Sequence, residues 1–424
     1  MNILIQGGRL IDPANNVDQV TDIYVANGLI ASIGAAPEGF EADTVIHAAS
    51  QVVAPGFVDL CAHTREPGFS MKGSIASETH AAVAGGVTTL VTPPTTQPII
   101  DTTAVAELVH DRAKEAGKAK VLPMGALTKG LEGAQLAPMH TLKSAGCVAF
   151  TNARLPVDNS LVMLRCLEYA ATHDLLVVFQ PQDTALAAGG HMHDDINATR
   201  LGLNGIPEAA ETVEVARCLL LAESAGVRAH FAQLSSAKST QMVIDARERG
   251  LKVTADVAIH NLLLTDENVN GFNSNFYVIP PLRSPLDRAG LRSALLSDGI
   301  QAICSDHQPH EAAAKAAPFA ATEPGITGLE TLLPLSMLLV EQGVLSLPQL
   351  IEKLTSGPAS ILGIEAGSLS VGATADLCIF DPEAQWQLTP ETSLSKGKNS
   401  PFMDYPLKGK VSHTLVNGQV VYSA

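Results

Sequence analysis

Between residues 56 and 357 the sequence switches repeatedly between short apolar runs and amphipathic helical stretches. The apolar runs include VTTLVTPP, KAKVLPMGAL, GCVAFTN, LLVVFQPQ, RAHFAQLSS, LKVTADVAIH and IQAICSDH. Such alternation is typical of parallel strands joined by crossover helices, which bury the strands on both faces. About eight such units in roughly 300 residues favour a closed (β/α)8 TIM barrel over an open sheet.

One crossover helix is especially clear in EAAETVEVARCLLLAESAG, residues 208–226. Its apolar residues recur three and four positions apart, as on one face of a helix. Gly226 follows the last of them and provides a stop signal. We therefore expect a helix that ends at this glycine.

The two ends of the chain have a different pattern, with short strands separated by turns. NILIQGGRLID is followed by VTDIYVANGLIASIG, in which Asn27 and Gly28 separate two apolar runs. GKVSHTLVNGQVVYS repeats the arrangement near the other end. An Asn-Gly pair between apolar runs is a strong hairpin signal. We predict a small β-sandwich built from residues 1–55 and 358–424, flanking a barrel of residues 56–357.

Charge and cysteine usage exclude several classes of protein. A formal net charge of −16 and a pI of about 5.2 argue against nucleic-acid binding, which needs clustered Lys and Arg. The cysteines have no short paired spacing, which favours single buried thiols in the cytoplasm. They are Cys61, Cys147, Cys166, Cys218, Cys304 and Cys378. No apolar run approaches the roughly 18 residues of a membrane span, so we expect neither a membrane nor a secreted protein.

Several segments in order carry a resemblance to a known family. They include FVDLCAHTREPG, GGVTTLVTPPTTQP, HFAQLSSAKS, PPLRS, SDHQPH, GITGLETLLPL and KNSPF. The chain resembles the amidohydrolase superfamily, and more closely the dihydroorotases, whose first barrel strand ends Asp-x-His-x-His-x-Arg-x-Pro-Gly. The resemblance implies zinc-assisted, reversible closure of carbamoyl aspartate to a six-membered ring, with an Asp as general base and acid.

The resemblance also implies a set of zinc ligands, of which this chain keeps a minority. Cys61 replaces the first histidine of the family's His-x-His pair, and His63 keeps the second. Residues i and i+2 of a strand face the same way, so such a pair can chelate one ion. Asp306, in CSDHQPH, keeps the position of the catalytic aspartate.

The remaining ligand positions hold residues that supply no charged ligand. Asn152 and Ala153 stand where the family has a carboxylate, carried by a carbamylated lysine or by an Asp-Asp-Gly turn. Gln180 and Gln233 stand where it has histidines after strands five and six. His230 is retained three residues before Gln233. We interpret His63 and His230 as hydrogen-bonded interior residues and His260 as a structural residue.

Of the four substrate-binding positions that the resemblance implies, two are retained and two are replaced. Arg65 and His310 match the family's contacts to the substrate carboxylate. Thr95 and Ile279 replace two asparagines, and Ile279 adds apolar bulk instead of a polar contact. Asp59 begins the motif, and we expect it to organise the turn after strand one.

These losses favour a catalytically inactive protein with no catalytic residue, metal or cofactor of its own. The resemblance is strongest to non-catalytic dihydroorotase homologues, which implies a structural role beside aspartate carbamoyltransferase in pyrimidine biosynthesis, as a homo-dimer within a larger hetero-oligomer. One alternative is a divergent dihydroorotase, or another cyclic-amide hydrolase, that uses residual zinc on Cys61, His63 and Asp306. The other is a non-catalytic protein that binds a pathway anion through Arg65 and His310.

Overall fold

The computed structural model of the chain describes residues 2–424. The strands are β1 (Asn2–Asp12), β2 (Val17–Ala26), β3 (Leu29–Ile33), β4 (Thr44–His47), β5 (Val52–Pro55), β6 (Phe57–Asp59), β7 (Val87–Thr92), β8 (Lys120–Ala126), β9 (Ala149–Thr151), β10 (Leu176–Phe179), β11 (Met192–His193), β12 (Gly205–Ile206), β13 (Arg228–Phe231), β14 (Val253–Ala258), β15 (Ala302–Cys304), β16 (Leu377–Gln387), β17 (Pro406–Val416) and β18 (Gln419–Ser423). The α-helices are α1 (Ile75–Ala84), α2 (Thr103–Ala116), α3 (Met139–Ser144), α4 (Ser160–Thr172), α5 (Thr184–Ala187), α6 (Ile196–Leu201), α7 (Ala209–Ala225), α8 (Ala237–Glu248), α9 (Ile259–Leu263), α10 (Pro285–Leu296), α11 (Ala312–Lys315), α12 (Leu332–Glu341), α13 (Leu347–Leu354) and α14 (Ser356–Leu362).

Eight parallel strands form the predicted barrel. They pair in the order β6-β7-β8-β9-β10-β13-β14-β15. The first and last strands meet just beyond their ends, where Ala62 bridges to His307. The backbone N–H of His63 donates to the carbonyl of His307 at 2.8 Å, and the N–H of His307 donates to that of Cys61 at 3.2 Å. These bonds close the ring and bring the ends of strands one and eight together.

The barrel strands form where the sequence is continuously apolar. All residues of β7 and β10 are buried, as expected for strands covered by side chains on one face and helices on the other. The predicted crossover helix is α7, which ends at Gly226 in a left-handed conformation with φ of +66°. Glycine adopts this conformation without a Cβ clash. The TIM barrel prediction is confirmed.

Strands from both ends of the chain form a second, mixed sheet. Its order is β18-β17-β16-β5-β1-β2-β3, with β4 on β1. Asn27-Gly28 joins β2 to β3 with φ values of +54° and +81°, and Asn417-Gly418 joins β17 to β18 with +51° and +70°. Positive φ at both turn positions matches the tight hairpin that Asn-Gly favours. The predicted β domain of the two terminal segments is therefore present as this sheet.

Two expectations from composition concern membrane-spanning helices and the pairing of the cysteines. No helix within residues 2–424 is long and apolar enough to cross a membrane. All six cysteines are buried and unpaired with one another, as predicted for single thiols.

Candidate functional site at the barrel mouth

Asp59 fastens the first strand to the last at the mouth of the barrel. Its buried carboxylate accepts hydrogen bonds from the backbone N–H of Ser305 at 2.9 Å and of Cys61 at 3.4 Å, and from the Ser305 hydroxyl. Burial raises the pKa of Asp59 to about 6, although these hydrogen bonds act to lower it. Asp59 therefore acts as a structural clamp between β6 and the residues after β15.

Cys61, His63 and Asp306 come together directly above this clamp. Their potential ligand atoms lie within 4.8 Å of one another. The Cys61 thiol lies 3.7 Å from Oδ1 of Asp306 and can donate to it. Asp306 has a left-handed backbone, with φ of +46°, and its Oδ2 is buried without a partner. The three residues form one cluster of donors that neighbouring strands position.

Burial controls the protonation of this donor cluster. It raises the pKa of the Cys61 thiol well above its usual value, with a further contribution from Asp306. It raises the pKa of Asp306 to about 7 and holds that of His63 well below its ordinary value. The charged form of each group is thus disfavoured, as expected in an apolar interior.

Gln180 and Gln233 are bound to each other, and Gln233 is also bound to a half-buried arginine. Nη2 of Arg154 donates to Oε1 of Gln233 at 2.6 Å, and Nε2 of Gln180 donates to the same oxygen at 2.9 Å. The backbone N–H of Gln233 donates to Asp256 at 2.7 Å, and Gln233 has a left-handed φ of +55°. Gln233 therefore accepts a guanidinium N–H, and Gln180 supports it, at two positions where the resemblance implies histidines that bind metal.

Arg154 was not singled out by the sequence analysis. It belongs to VAFTNAR, where the resemblance implies a carboxylate, so a change of charge sign in this segment was the available signal. Ala153, directly before it, has a φ of +51°. Burial lowers the pKa of Arg154, but an arginine keeps its proton in proteins. Its positive charge in turn acts to lower the pKa of Asp306, more than any other charged group does.

Asn152 is turned away from the donor cluster. Its Oδ1 accepts from the Thr128 hydroxyl at 2.6 Å, and its Nδ2 donates to the carbonyls of Leu131 and Leu155, both at 3.1 Å. These bonds hold the loops after β8 and β9 together. Ala153 supplies no side-chain ligand, so neither residue replaces the missing carboxylate.

The retained His230 is fixed within the barrel wall. Its Nδ1 lies 2.9 Å from the Thr254 hydroxyl, and its Nε2 lies 2.9 Å from Oδ2 of Asp256. His260 is buried at the start of α9, with Nε2 unpartnered, and burial lowers its pKa to about 4. Neither histidine belongs to the donor cluster.

Arg65 and His310 lie together on another side of the mouth. Nε of Arg65 donates to the Pro309 carbonyl at 3.1 Å, and its Nη2 lies 3.1 Å from Nε2 of His310. Lys72 lies 3.1 Å from the other ring nitrogen. Burial, together with Arg65 and Lys72, lowers the pKa of His310 to about 3, so the ring is neutral. The pair is pre-arranged, but Arg65 is partly engaged by protein groups.

The two residues that replace family asparagines have little polar role here. Ile279 is half-buried and packs against an apolar cluster that includes Met192, Tyr277 and Phe319. Thr95 is half-buried in the loop after β7. This side of the mouth is therefore more apolar than the resemblance implies.

Comparisons with known proteins agree with the fold. The Dihydro-orotase-like family model matches residues 50–239, and the Amidohydrolase family model matches residues 246–422. A dihydroorotase-like protein of Pseudomonas putida is 56% identical over 422 residues, which cover 100% of this chain and 99% of the relative. The chain belongs to the dihydroorotase-like amidohydrolases.

A dihydroorotase sequence and a solved hydantoinase structure are also similar to this chain over nearly its full length. A dihydroorotase of Geobacter sp. (strain M21) is 43% identical over 427 residues and is covered, like this chain, over its full length. The solved L-hydantoinase (dihydropyrimidinase) from Arthrobacter aurescens superposes with a TM-score of 0.88 at 25% identity, covering 99% of this chain and 96% of that one. The dihydroorotase-like chain thus keeps the complete architecture of its family.

The donors at the mouth do not fit the pair of metal ions that a bridging carboxylate would hold. Ala153 has no donor, and the Oε1 atom of Gln233 is already bound by Arg154 and Gln180. Cys61, His63 and Asp306 alone have the spacing of a single-ion site. A catalytic zinc commonly has three protein ligands and an open position, and its ligands must be deprotonated. Burial opposes that deprotonation at Cys61.

Proposed function

We propose that this dihydroorotase-like protein does not turn over dihydroorotate and acts as a non-catalytic, structural subunit of an aspartate carbamoyltransferase complex in pyrimidine biosynthesis. The observation that carries the first part is the contact of Arg154 with Gln233, at 2.6 Å. This guanidinium is bound at a position where the family uses a metal ligand.

The chemistry of the mouth supports the loss of turnover. Hydrolysis or closure of a cyclic amide needs an activated water or a polarised carbonyl, which a metal supplies in this family. A guanidinium has no lone pair for a metal and does not accept a proton from water. The amides of Gln180 and Gln233 are neutral, and the group of metal-ligating side chains found within residues 2–424 is Cys61, His63 and Asp306.

The proposed partner rests on the resemblance to non-catalytic dihydroorotase homologues. A chain without turnover contributes through binding, and a specific interface buries about 1,200–2,000 Å² in total. Exposed apolar side chains are available on two helices that pack side by side, Leu161 on α4 and Val213 and Leu220 on α7. Closed symmetry is usual for soluble oligomers, so we propose homo-dimers of this chain within the complex.

A turnover assay tests the first part of the proposal. The purified chain should neither hydrolyse dihydroorotate nor cyclise carbamoyl aspartate, with or without added zinc. An active dihydroorotase in the same buffer provides the positive control. Metal-dependent turnover that disappears in Asp306→Ala would contradict the proposal.

One observation favours a second candidate, a mononuclear metallohydrolase. Cys61, His63 and Asp306 lie close enough to hold one ion, and Cys, His and Asp are all accepted zinc ligands. This candidate requires stoichiometric zinc in protein purified without added metal. The zinc should then be lost in Cys61→Ala, which elemental analysis can show.

A further inference from the structure

The barrel mouth combines a possible ion site with a fixed positive charge. The possible ion site is the donor cluster of Cys61, His63 and Asp306. The fixed charge is the guanidinium of Arg154. The donor cluster could attract a divalent ion, whereas the guanidinium repels one.

One hydrogen bond holds the guanidinium, and two more hold Gln233, which accepts it. Arg154 donates to Oε1 of Gln233 at 2.6 Å, and Gln180 donates to the same oxygen at 2.9 Å. The backbone of Gln233 is itself tied to Asp256 at 2.7 Å. Because Asp256 is fully buried in β14, the acceptor of the guanidinium is held by the barrel wall.

Asp256 connects the guanidinium to the donor cluster. Its Oδ1 accepts the N–H of Gln233 at 2.7 Å and lies 3.4 Å from the thiol of Cys304, two residues before Asp306. Arg154 is among the groups that lower the pKa of Cys61, His63 and Asp306 alike. Asp306 and Cys61 are in turn the groups that most favour the charged form of Arg154. A fixed cation beside these donors opposes the entry of a second cation, because like charges repel strongly in a poorly solvated site.

We infer that Arg154 is a built-in cation that replaces the family's metal and keeps divalent ions out of the Cys61–His63–Asp306 cluster. The inference rests on the proposed function, because it explains how a mouth without a metal centre keeps its buried acid compensated. Removing the charge of Arg154 unmasks a site for one thiophilic divalent ion. As that ion binds, the thiol of Cys61 releases its proton to the buffer and a sulfur–metal bond forms.

Cobalt(II) is the probe, because its bond to a thiolate gives a charge-transfer absorption that does not depend on enzyme activity. Wild-type protein, Arg154→Met and Arg154→Gln are titrated with cobalt. Arg154→Gln keeps an N–H donor for Gln233 and serves if the methionine variant does not fold. We expect both uncharged variants to bind cobalt about a hundredfold more tightly than wild type, with the thiolate band.

Two controls make the result specific. Arg154→Lys keeps a positive charge and should remain as weak as wild type. Arg154→Gln combined with Cys61→Ala should lose the thiolate band. Folded uncharged variants that bind cobalt no better than wild type overturn this inference and leave the proposed function standing. Stoichiometric, tight cobalt or zinc on wild-type protein instead contradicts the proposed function itself.

Discussion

Oε1 of Gln233 accepts the guanidinium N–H of Arg154 at 2.6 Å, within the barrel mouth of a dihydroorotase-like fold. The resemblance to dihydroorotases implies a metal-binding histidine at this position, whereas here Gln233 binds a protein cation. The positive charge of the mouth is therefore part of the polypeptide. The contact between Arg154 and Gln233 has consequences for the stability of the protein and for the pH dependence of that stability.

Replacing Arg154 with Met should destabilise the fold. The substitution removes the donor to Gln233 and leaves the buried Asp306 without its main compensating charge. We expect the free energy of unfolding to fall by about 1–3 kcal/mol, measured by urea denaturation. Arg165→Met is the matched control, because Arg165 forms an exposed ion pair with Glu168. Equal free energies of unfolding for the two variants would show that the Arg154 contact does not stabilise the fold.

Asp306 should make the protein less stable as the pH rises. Burial raises its pKa from 3.8 to about 7, so the folded chain holds this proton in a range where the unfolded chain has lost it. Its contribution is therefore most favourable below about pH 4 and is lost progressively up to about pH 7. Asp306→Asn removes this cost and should raise the free energy of unfolding by roughly 1–4 kcal/mol more at pH 8 than at pH 4.

The control for this experiment is Asp158→Asn, which changes an exposed acid in the loop before α4. Thermal or urea unfolding at both pH values gives the comparison. A bound metal would reverse the sign, because Asp306→Asn would then lose a ligand. Destabilisation by Asp306→Asn at pH 8 would therefore count against the account.

The sequence predicted the barrel because its parallel strands are buried on both faces. That burial makes β7 and β10 continuously apolar, a pattern that survives without knowledge of the tertiary fold. The Asn-Gly hairpins were equally clear, since positive φ at two successive positions strongly restricts the residue types. These features depend on local rules.

Arg154 was missed because its role depends on tertiary structure. An arginine three residues after a strand usually points to solvent, and propensity alone does not turn it inward. Here the left-handed turn at Ala153 precedes it, and Gln233, distant in sequence, provides the acceptor. The partners of Asn152, which are spread over residues 128–155, are likewise invisible in the sequence.

His230 should matter for stability although it lies outside the donor cluster. His230→Ala leaves the fully buried Asp256 without its partner at 2.9 Å. Losing one member of a buried, hydrogen-bonded pair costs about 3–5 kcal/mol. His47→Ala, on the exposed side of β4, is the control and should cost little. Chemical denaturation of both variants measures the difference, and near-equal stability would disprove the role assigned to His230.

Changes in the donor cluster should leave assembly intact. A structural subunit depends on its surface, whereas Cys61, His63 and Asp306 lie inside the barrel mouth. His63→Ala and Asp306→Ala should therefore associate with aspartate carbamoyltransferase within about twofold of wild type, because substitutions distant from a contact leave its energy nearly unchanged. Titration followed by light scattering measures this. Loss of association in a variant that remains folded would indicate that the mouth takes part in binding.

The central claim is that this chain works by assembly and not by turnover. Its most direct test mixes the separately purified chain and aspartate carbamoyltransferase, and follows mass by light scattering together with carbamoyltransferase activity. We predict one hetero-oligomer containing equal numbers of the two chains, and a transferase that is poorly active or poorly assembled until this chain is added. Two separate peaks, with the transferase fully active alone, would contradict the account.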